Sequence, residues 1–320
     1  MSESYENPVA GFNGIPESKE GKPNNKINLV YLDSIDSTNM EARRILEASL
    51  SGPFIVVARE QTAGRGRQGK SFFSPKNSGI YMTIALPTGE IPSGVVTLTC
   101  RVGIAVSKAI DAEFGCRTGI KWVNDIFLSG RKICGILCEA ISGEGGAPSH
   151  ILIGIGINIS TVEFPDDIKN SAGSVLSVMS SSENTAGSVL PIAGTSKNTP
   201  GSVLSSANSS ECSFNEKMTM SGNAQYKAPL ESVTGEFIRR FAMQIYDSVI
   251  RHLAPSYDPI ADYKERSVVL GKDVTFYENG VAHSAHAVDI DETGGLVVKL
   301  PDTGWIRTLS SGEISLRVYE

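Results

Sequence analysis

The stretch GRGRQGKS (residues 64–71) fits two phosphate-binding patterns at once, and the choice between them decides the expected fold. Read as G-x-x-x-x-G-K-[ST] it is a P-loop, and read as G-x-G-x-x-G it is the turn of a dinucleotide-binding domain. Both patterns need a helix directly behind the loop, because the helix N-terminus completes the anion site. Here the chain continues as FFSPKNS and then as a strand-like run over 79–87. We therefore interpret both matches as accidental.

The elements around this loop predict an α+β fold and argue against a doubly wound parallel sheet. Several strand-like runs are close enough in sequence to form hairpins, which favours a mixed or antiparallel sheet with helices packed on it. A helix begins at Ser37 or Thr38, with Thr38 and Glu41 as a capping box, and runs to about Leu50. The other predicted elements are strands over 27–33, 53–60, 79–87 and 150–160, a hairpin over 126–141 and a helix over 94–114.

The composition excludes several classes of function. A net charge of −6 argues against a protein that binds nucleic acid through its overall charge. No apolar run approaches the roughly 18 residues that a membrane span needs, and residues 1–26 are polar, without the apolar segment of a secretory signal. Five cysteines without a C-x-x-C pair and four histidines without ligand spacing argue against a zinc site. We expect a cytoplasmic protein that does not act at a membrane.

Three 14-residue copies follow one another between residues 170 and 211. They read NSAGSVLSVMSSSE, NTAGSVLPIAGTSK and NTPGSVLSSANSSE. Serine, asparagine, glycine and threonine dominate them, so they bury too little apolar surface to order themselves well. We predict a tolerated, repeat-expanded surface loop over about 170–227, and the sequence leaves open which copy is the native one.

The second half of the chain changes from helical to strand-like periodicity. Apolar residues recur at spacing four in a predicted helix over 229–253, and a short helix follows over 260–266. From Val268 onward short alternating strands are separated by glycine and aspartate, as in a small all-β barrel. The predicted organisation is a disordered polar extension over 1–26, a main domain over 27–266 and a β-barrel over 267–320.

Cationic side chains gather in three motifs. Arg65, Arg67 and Lys70 crowd the glycine-rich loop, and guanidinium groups bind phosphate or carboxylate in a bidentate manner. KWVND (121–125) supplies a cation, an aromatic ring, an amide and a carboxylate within five residues, and Lys132 follows shortly after. Each group alone is typical of ordinary surface. Their joint occurrence predicts an anion-binding site.

Together these motifs resemble those of the biotin–protein ligases. The resemblance covers about residues 27–160 and 229–320, and the GRGRxG loop together with KW-x-ND is its most specific part. It implies a catalytic domain like that of the class II synthetases and a C-terminal SH3-like β-barrel. The matching motifs are STN (37–39), QTAGRGRQG (61–69), FSP (73–75), KWVND (121–125), GRKICGIL (130–137), GIGIN (154–158) and GEISLR (312–317).

The resemblance implies a role for each matching residue. The catalytic residues it implies are Lys132, Arg65 and Asp125, with Asp125 as the Mg²⁺ ligand. The biotin contacts it implies are Ser37, Thr38, Asn39, Gln61, Arg65, Gly66, Arg67 and Lys132. The ATP contacts it implies are Arg67, Phe72, Lys121, Asn124, Asn158, Glu313 and Arg317.

The activity implied by the resemblance depends on ATP and Mg²⁺. Biotin is activated to biotinyl-5′-AMP with release of pyrophosphate and is then transferred to a lysine of a biotin carboxyl carrier protein or domain, such as that of acetyl-CoA carboxylase. A lipoate or octanoate transferase of the same fold and a non-enzymatic biotin-binding module are the alternatives. Residues 1–26 are too short and polar for a helix-turn-helix domain, so we expect no DNA binding. A homodimer is left open.

Three positions depart from the family's usual pattern. Val123 stands where proline is usual, Lys70 where a third arginine is common, and Phe72 where a tryptophan commonly stacks on adenine. A lysine lacks the bidentate geometry of arginine, whereas a phenyl ring can still stack. We expect a looser turn at Val123, and at Phe72 weaker packing and not a loss of function.

Overall fold

The computed structural model describes residues 27–48, 52–90, 95–183, 233–278, 280–310 and 314–316. Its strands and helices alternate in an order that brings distant motifs onto one sheet. In chain order they are β1 Asn28–Leu32, α1 Thr38–Glu47, β2 Phe54–Ala58, β3 Gly79–Pro87, α2 Val95–Phe114, β4 Gly119–Lys121, β5 Asp125–Leu128, β6 Arg131–Ser142, β7 Pro148–Asn158, α3 Val175–Glu183, α4 Gly235–Leu253, α5 Ile260–Arg266, β8 Asp273–Glu278, β9 Val281–Ile290, β10 Leu296–Lys299, β11 Ile306–Leu309 and β12 Ile314–Leu316.

A seven-stranded mixed sheet forms the larger part of the molecule, in the order β1-β2-β3-β7-β6-β5-β4. Only the β1–β2 pair is parallel, and the other five pairs are antiparallel. The second sheet has five strands in the order β11-β10-β9-β8-β12, all of them antiparallel. The predicted α+β class with a small C-terminal β-unit is therefore confirmed.

The two faces of the large sheet have different residues because side chains alternate along each strand. In β7 the isoleucines Ile153, Ile155 and Ile157 are buried in the main core beneath α2 and α4. Leu152 packs with Phe54 in a smaller cluster on the opposite face, the one that α1 covers. Gly154 and Gly156 share that second face with Leu152. A helix thus covers one end of this face, and a row of glycines continues it.

A further hydrophobic core joins the C-terminal sheet to the strand before KWVND. Trp122 is 3% exposed and packs in one cluster with Tyr263, Phe276 and Val298. Its indole Nε1 donates a hydrogen bond to the Gly294 carbonyl at 2.9 Å. The aromatic residue of KWVND is therefore a structural anchor for the C-terminal sheet. A domain boundary near residue 267 stays a prediction.

The start of α1 differs from the predicted capping box. Ser37 is the N-cap residue, and no side-chain hydrogen bond caps the helix there. Thr38 lies inside the helix, and both its amide nitrogen and its hydroxyl donate to the Gln61 side chain instead. The capping-box prediction is wrong, because a residue of the glycine-rich loop occupies the position that the cap would have filled.

The first repeat copy is part of the fold and not a surface loop. Ser174 and Val175 are fully buried, and Val175 begins helix α3. The Ser174 hydroxyl donates to the Thr161 carbonyl at 2.9 Å, and the Leu176 amide donates to the Ile159 carbonyl at 2.9 Å. The GSVL sequence supplies a small and a β-branched residue that fit beside the end of β7. The second and third copies, like the extension over 1–26, lie outside the described residues.

The last long helix begins later than predicted. Helix α4 starts at Gly235, where the Thr234 side chain accepts a hydrogen bond from the Phe237 amide, whereas 229–232 lie outside the described residues. Phe114, Phe237 and Phe241 form a cluster of tilted and edge-on rings between α2 and α4. Among the helices that the structure describes, none is long and apolar enough to cross a membrane.

Candidate active site

A cavity of about 380 Å³ lies on the glycine-bearing face of the large sheet. Its volume is in the range of small-molecule sites. The lining comes from the start of α1, the glycine-rich loop, KWVND and strands β6 and β7, so motifs far apart in sequence meet at one place. Polar and charged side chains predominate among the lining residues, which include Ser37, Thr38, Asn39, Gln61, Arg65, Arg67, Gln68, Lys70, Ser71, Lys121, Asn124, Asp125, Lys132 and Ser171.

The glycine-rich loop is a closed hairpin. The Phe72 amide donates to the Gly64 carbonyl at 2.9 Å, and the Gly66 amide donates to the Lys70 carbonyl at 2.7 Å. At the tip, Gln68 and Gly69 have positive φ angles of 56° and 74°, which reverse the chain. Residue 71 is followed by extended chain and β3, with no helix. The loop therefore has neither P-loop nor dinucleotide-turn geometry.

Three glycines form the floor of the cavity, which we call the glycine floor: Gly135 on β6, and Gly154 and Gly156 on β7. Gly135 and Gly156 are paired in register. A methyl group on Gly156 would lie 2.4 Å from the Phe72 ring, and one on Gly154 would lie 2.4 Å from Asn39 Oδ1. Glycine is therefore required for both side chains to lie against the sheet. The sequence interpretation missed these glycines, although their alternation in GIGIN was a visible signal.

A network of side-chain hydrogen bonds lies at the end of the cavity next to α1, where the lining residues Thr38, Asn39 and Gln61 are uncharged. Gln61 Oε1 accepts from the Thr38 amide at 2.9 Å, and Gln61 Nε2 donates to Ser74 Oγ at 2.9 Å. Asn39 Nδ2 donates to Glu139 Oε2 at 2.7 Å. We call this group, together with Thr83, the polar end. Its members come from α1, the glycine-rich loop, β3 and β6, and the bonds fix the orientation of each amide group.

A cationic rim lines the remainder of the cavity, and its Arg65 reaches back to α1, where Nη1 lies 3.0 Å from Met40 Sδ. It consists of Arg65, Arg67, Lys70, Lys121 and Lys132. Among the described residues that line the cavity, these five cations face a single carboxylate, that of Asp125. The cavity is thus strongly positive although the whole chain carries a net charge of −6. This concentration of charge fits an anionic ligand.

Two contacts hold the cationic rim together. Lys132 Nζ lies 2.8 Å from Asp125 Oδ1 as an ion pair. Arg67 Nη1 donates to Asn124 Oδ1 at 3.0 Å, and Asn124 Nδ2 donates to the Ile136 carbonyl at 3.0 Å. Asn124 and Asp125 are thus fixed to β6 and each of them holds one cation. The peptide bond before Val123, within the same motif, is cis.

The backbone of Lys132 is fixed by the first repeat copy. The Lys132 amide donates to the Ser171 carbonyl at 2.8 Å, and the Gly173 amide donates to the Lys132 carbonyl at 2.9 Å. Ser171 and Ile168 also line the cavity. The repeat segment therefore contributes a wall of the site, a role that low-complexity composition conceals in the sequence.

Most of the predicted site residues meet in this cavity, but three do not line it within the described residues. Asn158 is 4% exposed, and its Nδ2 donates to the Gly173 carbonyl at 3.3 Å behind the wall formed by the repeat. Glu313 and Arg317 lie outside the described residues. The remaining predicted residues line the cavity, namely Ser37, Thr38, Asn39, Gln61, Arg65, Gly66, Arg67, Phe72, Lys121, Asn124, Asp125 and Lys132.

The thiols near the cavity are poor nucleophiles. Burial raises the pKa of the Cys138 thiol to about 12 and that of the Cys134 thiol well above its ordinary value. Both groups are therefore protonated near neutral pH. Among the described residues there is also no cluster of three histidine, cysteine, aspartate or glutamate side chains that could hold a metal ion by itself. The site is built for binding and charge compensation.

The sequence model of the biotin/lipoate A/B protein ligase family matches residues 31–158. That of the biotin protein ligase C-terminal domain matches residues 269–317. The chain therefore carries a biotin/lipoate A/B protein ligase domain over 31–158 and a biotin protein ligase C-terminal domain over 269–317. The first match contains the polar end, the cationic rim and the glycine floor, whereas the lining residues Ile168 and Ser171 lie beyond it.

Curated relatives match just under half of this chain. The bifunctional ligase/repressor BirA of Bacillus spizizenii is 37% identical over 150 residues, which are 46% of this chain and 46% of that protein. The biotin–[acetyl-CoA-carboxylase] ligase of Paracoccus denitrificans is 34% identical over 149 residues, 46% of this chain and 61% of that protein. The matched segment thus spans about half the length of these relatives.

Solved structures of the ligase family share the fold over most of the chain. The biotin protein ligase of Aquifex aeolicus in complex with biotin and ATP has a TM-score of 0.63 at 22% identity, covering 91% of this chain and 98% of that one. The biotin protein ligase of Leishmania major in complex with biotinyl-5-AMP has a TM-score of 0.50 at 22% identity, with 89% and 99% covered. Both sheets described above therefore belong to the common architecture.

Proposed function

We propose that this protein is an ATP-dependent biotin–protein ligase. It joins the biotin carboxylate to the α-phosphate of ATP, releases pyrophosphate, and transfers the biotinyl group to a lysine of a carrier protein. The observation that carries the proposal is the division of one cavity into a neutral polar end and a cationic rim. Such a cavity suits a ligand with an uncharged hydrogen-bonding ring at one end and a carboxylate at the other.

The polar end supports recognition of the biotin ring. Thr38, Asn39 and Gln61 present hydroxyl and amide groups whose orientation the hydrogen bonds above already fix. Ser37 and Gly66 line the same cavity. A ureido group has both donors and an acceptor, so it can exchange hydrogen bonds with such a lining. Because these protein groups are oriented before the ligand arrives, little conformational entropy is lost on binding.

The cationic rim supports the first chemical step. An oxygen of the biotin carboxylate attacks the α-phosphorus, the bond to the bridging oxygen breaks, and pyrophosphate leaves with the electron pair. Two unit negative charges about 4 Å apart repel each other by about 4 kcal/mol at an effective dielectric constant of 20. Lys132, Arg65 and Arg67 offset this repulsion and stabilise the charge that develops on the phosphorus oxygens.

The ion pair between Lys132 and Asp125 prepares this step. In the ligand-free arrangement the carboxylate holds the ammonium group at 2.8 Å on the cavity wall. We infer that the substrate carboxylate and the α-phosphate replace Asp125 as partners of Lys132. The ammonium group then lies between the two reacting groups, and positioning supplies most of the rate enhancement.

Four residues that line the cavity, and one that lies behind its wall, are assigned to ATP binding. Phe72 lies over the paired Gly135 and Gly156, where its ring can stack on adenine. Lys121, Asn124 and Arg67 lie on the phosphate side in the proposed arrangement. An adenine contact of Asn158 would need Gly173 to shift, because Asn158 donates to its carbonyl.

Asp125 fits the role of a Mg²⁺ ligand. Mg²⁺ prefers oxygen ligands and is usually bound through one or two carboxylates, substrate phosphates and water. Asp125 supplies the only carboxylate among the described lining residues, and its Oδ1 receives no well-aligned hydrogen bond from any described group. It would hold the ion against the ATP phosphates. When bound, Mg²⁺ neutralises phosphate charge and stabilises the leaving pyrophosphate.

The second step needs no nucleophile from this chain. The amine of an acceptor lysine attacks the acyl carbon of biotinyl-AMP, the acyl–phosphate bond breaks, AMP leaves, and the amine loses one proton. Relatives named biotin–[acetyl-CoA-carboxylase] ligase support a biotin carboxyl carrier protein or carboxylase domain as the acceptor. The raised pKa of the Cys138 thiol agrees with a reaction that passes directly to the acceptor.

The test is an incubation with ATP, Mg²⁺, biotin and a carrier domain, followed by mass spectrometry of the carrier. We expect biotinyl-AMP in the absence of the carrier and a biotinylated lysine in its presence. Transfer of lipoate or octanoate without any biotinyl-AMP would establish the transferase alternative. Binding of biotin without binding of ATP would instead establish a non-enzymatic binding module.

A further inference from the structure

The Asn39 amide bridges three strands of the large sheet. Thr83 on β3 pairs in register with Gly154 on β7, which in turn pairs with Leu137 on β6. Asn39 lies directly over Gly154, where a methyl group would approach its Oδ1 to 2.4 Å. From there it reaches Thr83 on one side and Glu139 on the other. Only a residue without a side chain at position 154 allows this bridge.

One of the two partners, Glu139, fixes which way the amide group faces. Thr83 Oγ1 donates to Asn39 Oδ1 at 2.5 Å, and Asn39 Nδ2 donates to Glu139 Oε2 at 2.7 Å. A carboxylate can only accept hydrogen bonds, so a flipped amide would place its oxygen against the carboxylate oxygen of Glu139. The Thr83 hydroxyl can donate or accept and also lies 2.9 Å from Thr38 Oγ1, so it can bond the amide in either orientation and holds it in place. Glu139 therefore selects the orientation.

The fixed orientation determines what the amide offers to the cavity. Asn39 lines the cavity and is 4% exposed, whereas Thr83 is fully buried and neither Thr83 nor Glu139 is a lining residue. Asn39 Nδ2 carries two N–H groups, and Glu139 takes one of them. The second can serve a ligand in the cavity as a donor.

We propose that Thr83 and Glu139 are positioning residues that make Asn39 a dedicated hydrogen-bond donor to the carbonyl of the ligand ring. This inference rests on the proposed function, since it concerns the same cavity and takes the biotin ureido oxygen as the acceptor. It assigns ring recognition to two side chains behind the cavity wall. Neither residue lies in a motif that the sequence interpretation selected.

The experiment measures biotin binding by calorimetry and the KM values for biotin and ATP in adenylate formation. Replacing Glu139 by leucine removes the acceptor and frees the amide to flip, so we expect the biotin Kd to rise about tenfold. The KM for ATP should change by less than about twofold, because Phe72 and the Lys132 side chain lie over Gly135, about 13 Å along β6 from Glu139. Thr83→Val, which removes the donor at similar volume, should act in the same direction.

Two conservative variants and one control variant distant from the cavity distinguish a positioning role from a general loss of structure. Glu139→Gln keeps an acceptor oxygen, and Thr83→Ser keeps the hydroxyl, so both should retain a biotin Kd within about threefold of the wild type. Glu265→Leu is the matched control, since that carboxylate is 67% exposed and pairs only with the surface residue Arg117. We expect no change in either KM for this variant.

Two outcomes would overturn the inference while leaving the proposed function intact. One is a folded Glu139→Leu protein with an unchanged biotin Kd, and the other is an equal rise of the KM values for biotin and ATP. A misfolded leucine variant leaves Glu139→Gln and the two Thr83 variants to decide by the same criteria. If the wild-type protein itself binds no biotin, the proposed function fails and this inference fails with it.

Discussion

The polar end and the cationic rim are parts of one cavity, but they satisfy their polar groups in opposite ways. At the polar end, Thr38 and Asn39 are 3% and 4% exposed and bond to other side chains of the protein. At the rim, Arg65 and Lys70 are exposed, and Lys132 is partly exposed and pairs with a single carboxylate. The first region is held by bonds within the protein, whereas the second carries an excess of positive charge.

This difference indicates how the ring and the charged groups of a ligand are each expected to be recognised. A buried network gains specificity because a ligand that fails to match it leaves buried groups unpaired. An exposed group of cations gains attraction for any anion, which is strong at low ionic strength and weakens with salt. The polar end should therefore decide which ring is bound, and the rim should decide how fast the charged groups react.

The largest effect is expected from Lys132→Ala. Removing the ammonium group leaves the reacting carboxylate and α-phosphate without the cation between them, so adenylate formation should fall by about 10²–10³-fold. Pyrophosphate exchange measures this step directly. Biotin binding at the polar end should change much less, by under about tenfold.

A normal rate of adenylate formation in Lys132→Ala would refute the role assigned to Lys132. Lys169→Ala is a suitable control, because that lysine pairs with Asp166 on the surface and is 56% exposed. It should keep the wild-type rate.

The next largest effect is expected from Gly156→Ala on the glycine floor between the two regions. The added methyl group would lie 2.4 Å from the Phe72 ring and must displace it. The KM for ATP should rise about tenfold if Phe72 stacks on the nucleotide. Steady-state kinetics with ATP as the varied substrate measures the change.

Gly89→Ala provides the matched control for the glycine floor. An added methyl group there has no neighbour within 4 Å among the described atoms, so the kinetics should not change. An unaltered KM for ATP in Gly156→Ala would show that the Phe72 ring makes no contribution to nucleotide binding.

A smaller effect should distinguish the two regions by their response to salt. Raising the ionic strength from about 0.01 M to 0.15 M shortens the Debye length from about 30 Å to about 8 Å. The KM for ATP, which depends on the rim, should rise several-fold, whereas the Kd of biotin amide should stay nearly constant. Biotin amide lacks the carboxylate and therefore reports on the polar end alone. Equal salt dependence for both ligands would contradict the assignment of anion binding to the rim and of ring binding to the polar end.

The smallest effect is expected from deletion of residues 170–183, the copy that holds the backbone of Lys132. The deletion joins Lys169 to the second copy, in which Thr185 and Gly187 take the places of Ser171 and Gly173. The contacts to Lys132 use backbone atoms, so the second copy can supply them. Adenylate formation should stay within about twofold of the wild type, and the melting temperature within a few degrees.

Removal of all three copies, residues 170–211, is the comparison for that deletion. It takes away every GSVL segment, so the wall beside Lys132 is lost and the first-step rate should fall strongly. If the single deletion is as harmful as the triple one, the copies are not equivalent, and the first copy alone carries the sequence that the site needs.

Local sequence patterns predicted a strand or helix well where each of its faces has one environment along its whole length. The strand over 79–87 and the helix over 260–266 have the predicted bounds, because alternation and periodicity report directly on burial. The cavity residues in the quoted motifs were also predicted, because their joint occurrence resembles that in the biotin–protein ligases and that resemblance implies a role for each. The first repeat copy was misinterpreted, because composition alone does not reveal that backbone bonds to Lys132 and a buried Val175 order the segment.

The sequence by itself determined the order of the motifs, the mixed α+β class and the chemical character of the cavity lining. Only the tertiary structure decided that Asn39, Thr83 and Glu139 meet, since they lie 44 and 100 residues apart. Their contact depends on the register of β3, β7 and β6 and on the absence of a side chain at Gly154. Strand register is set by the packing of the whole sheet. A local pattern therefore cannot specify which residues become neighbours across three strands.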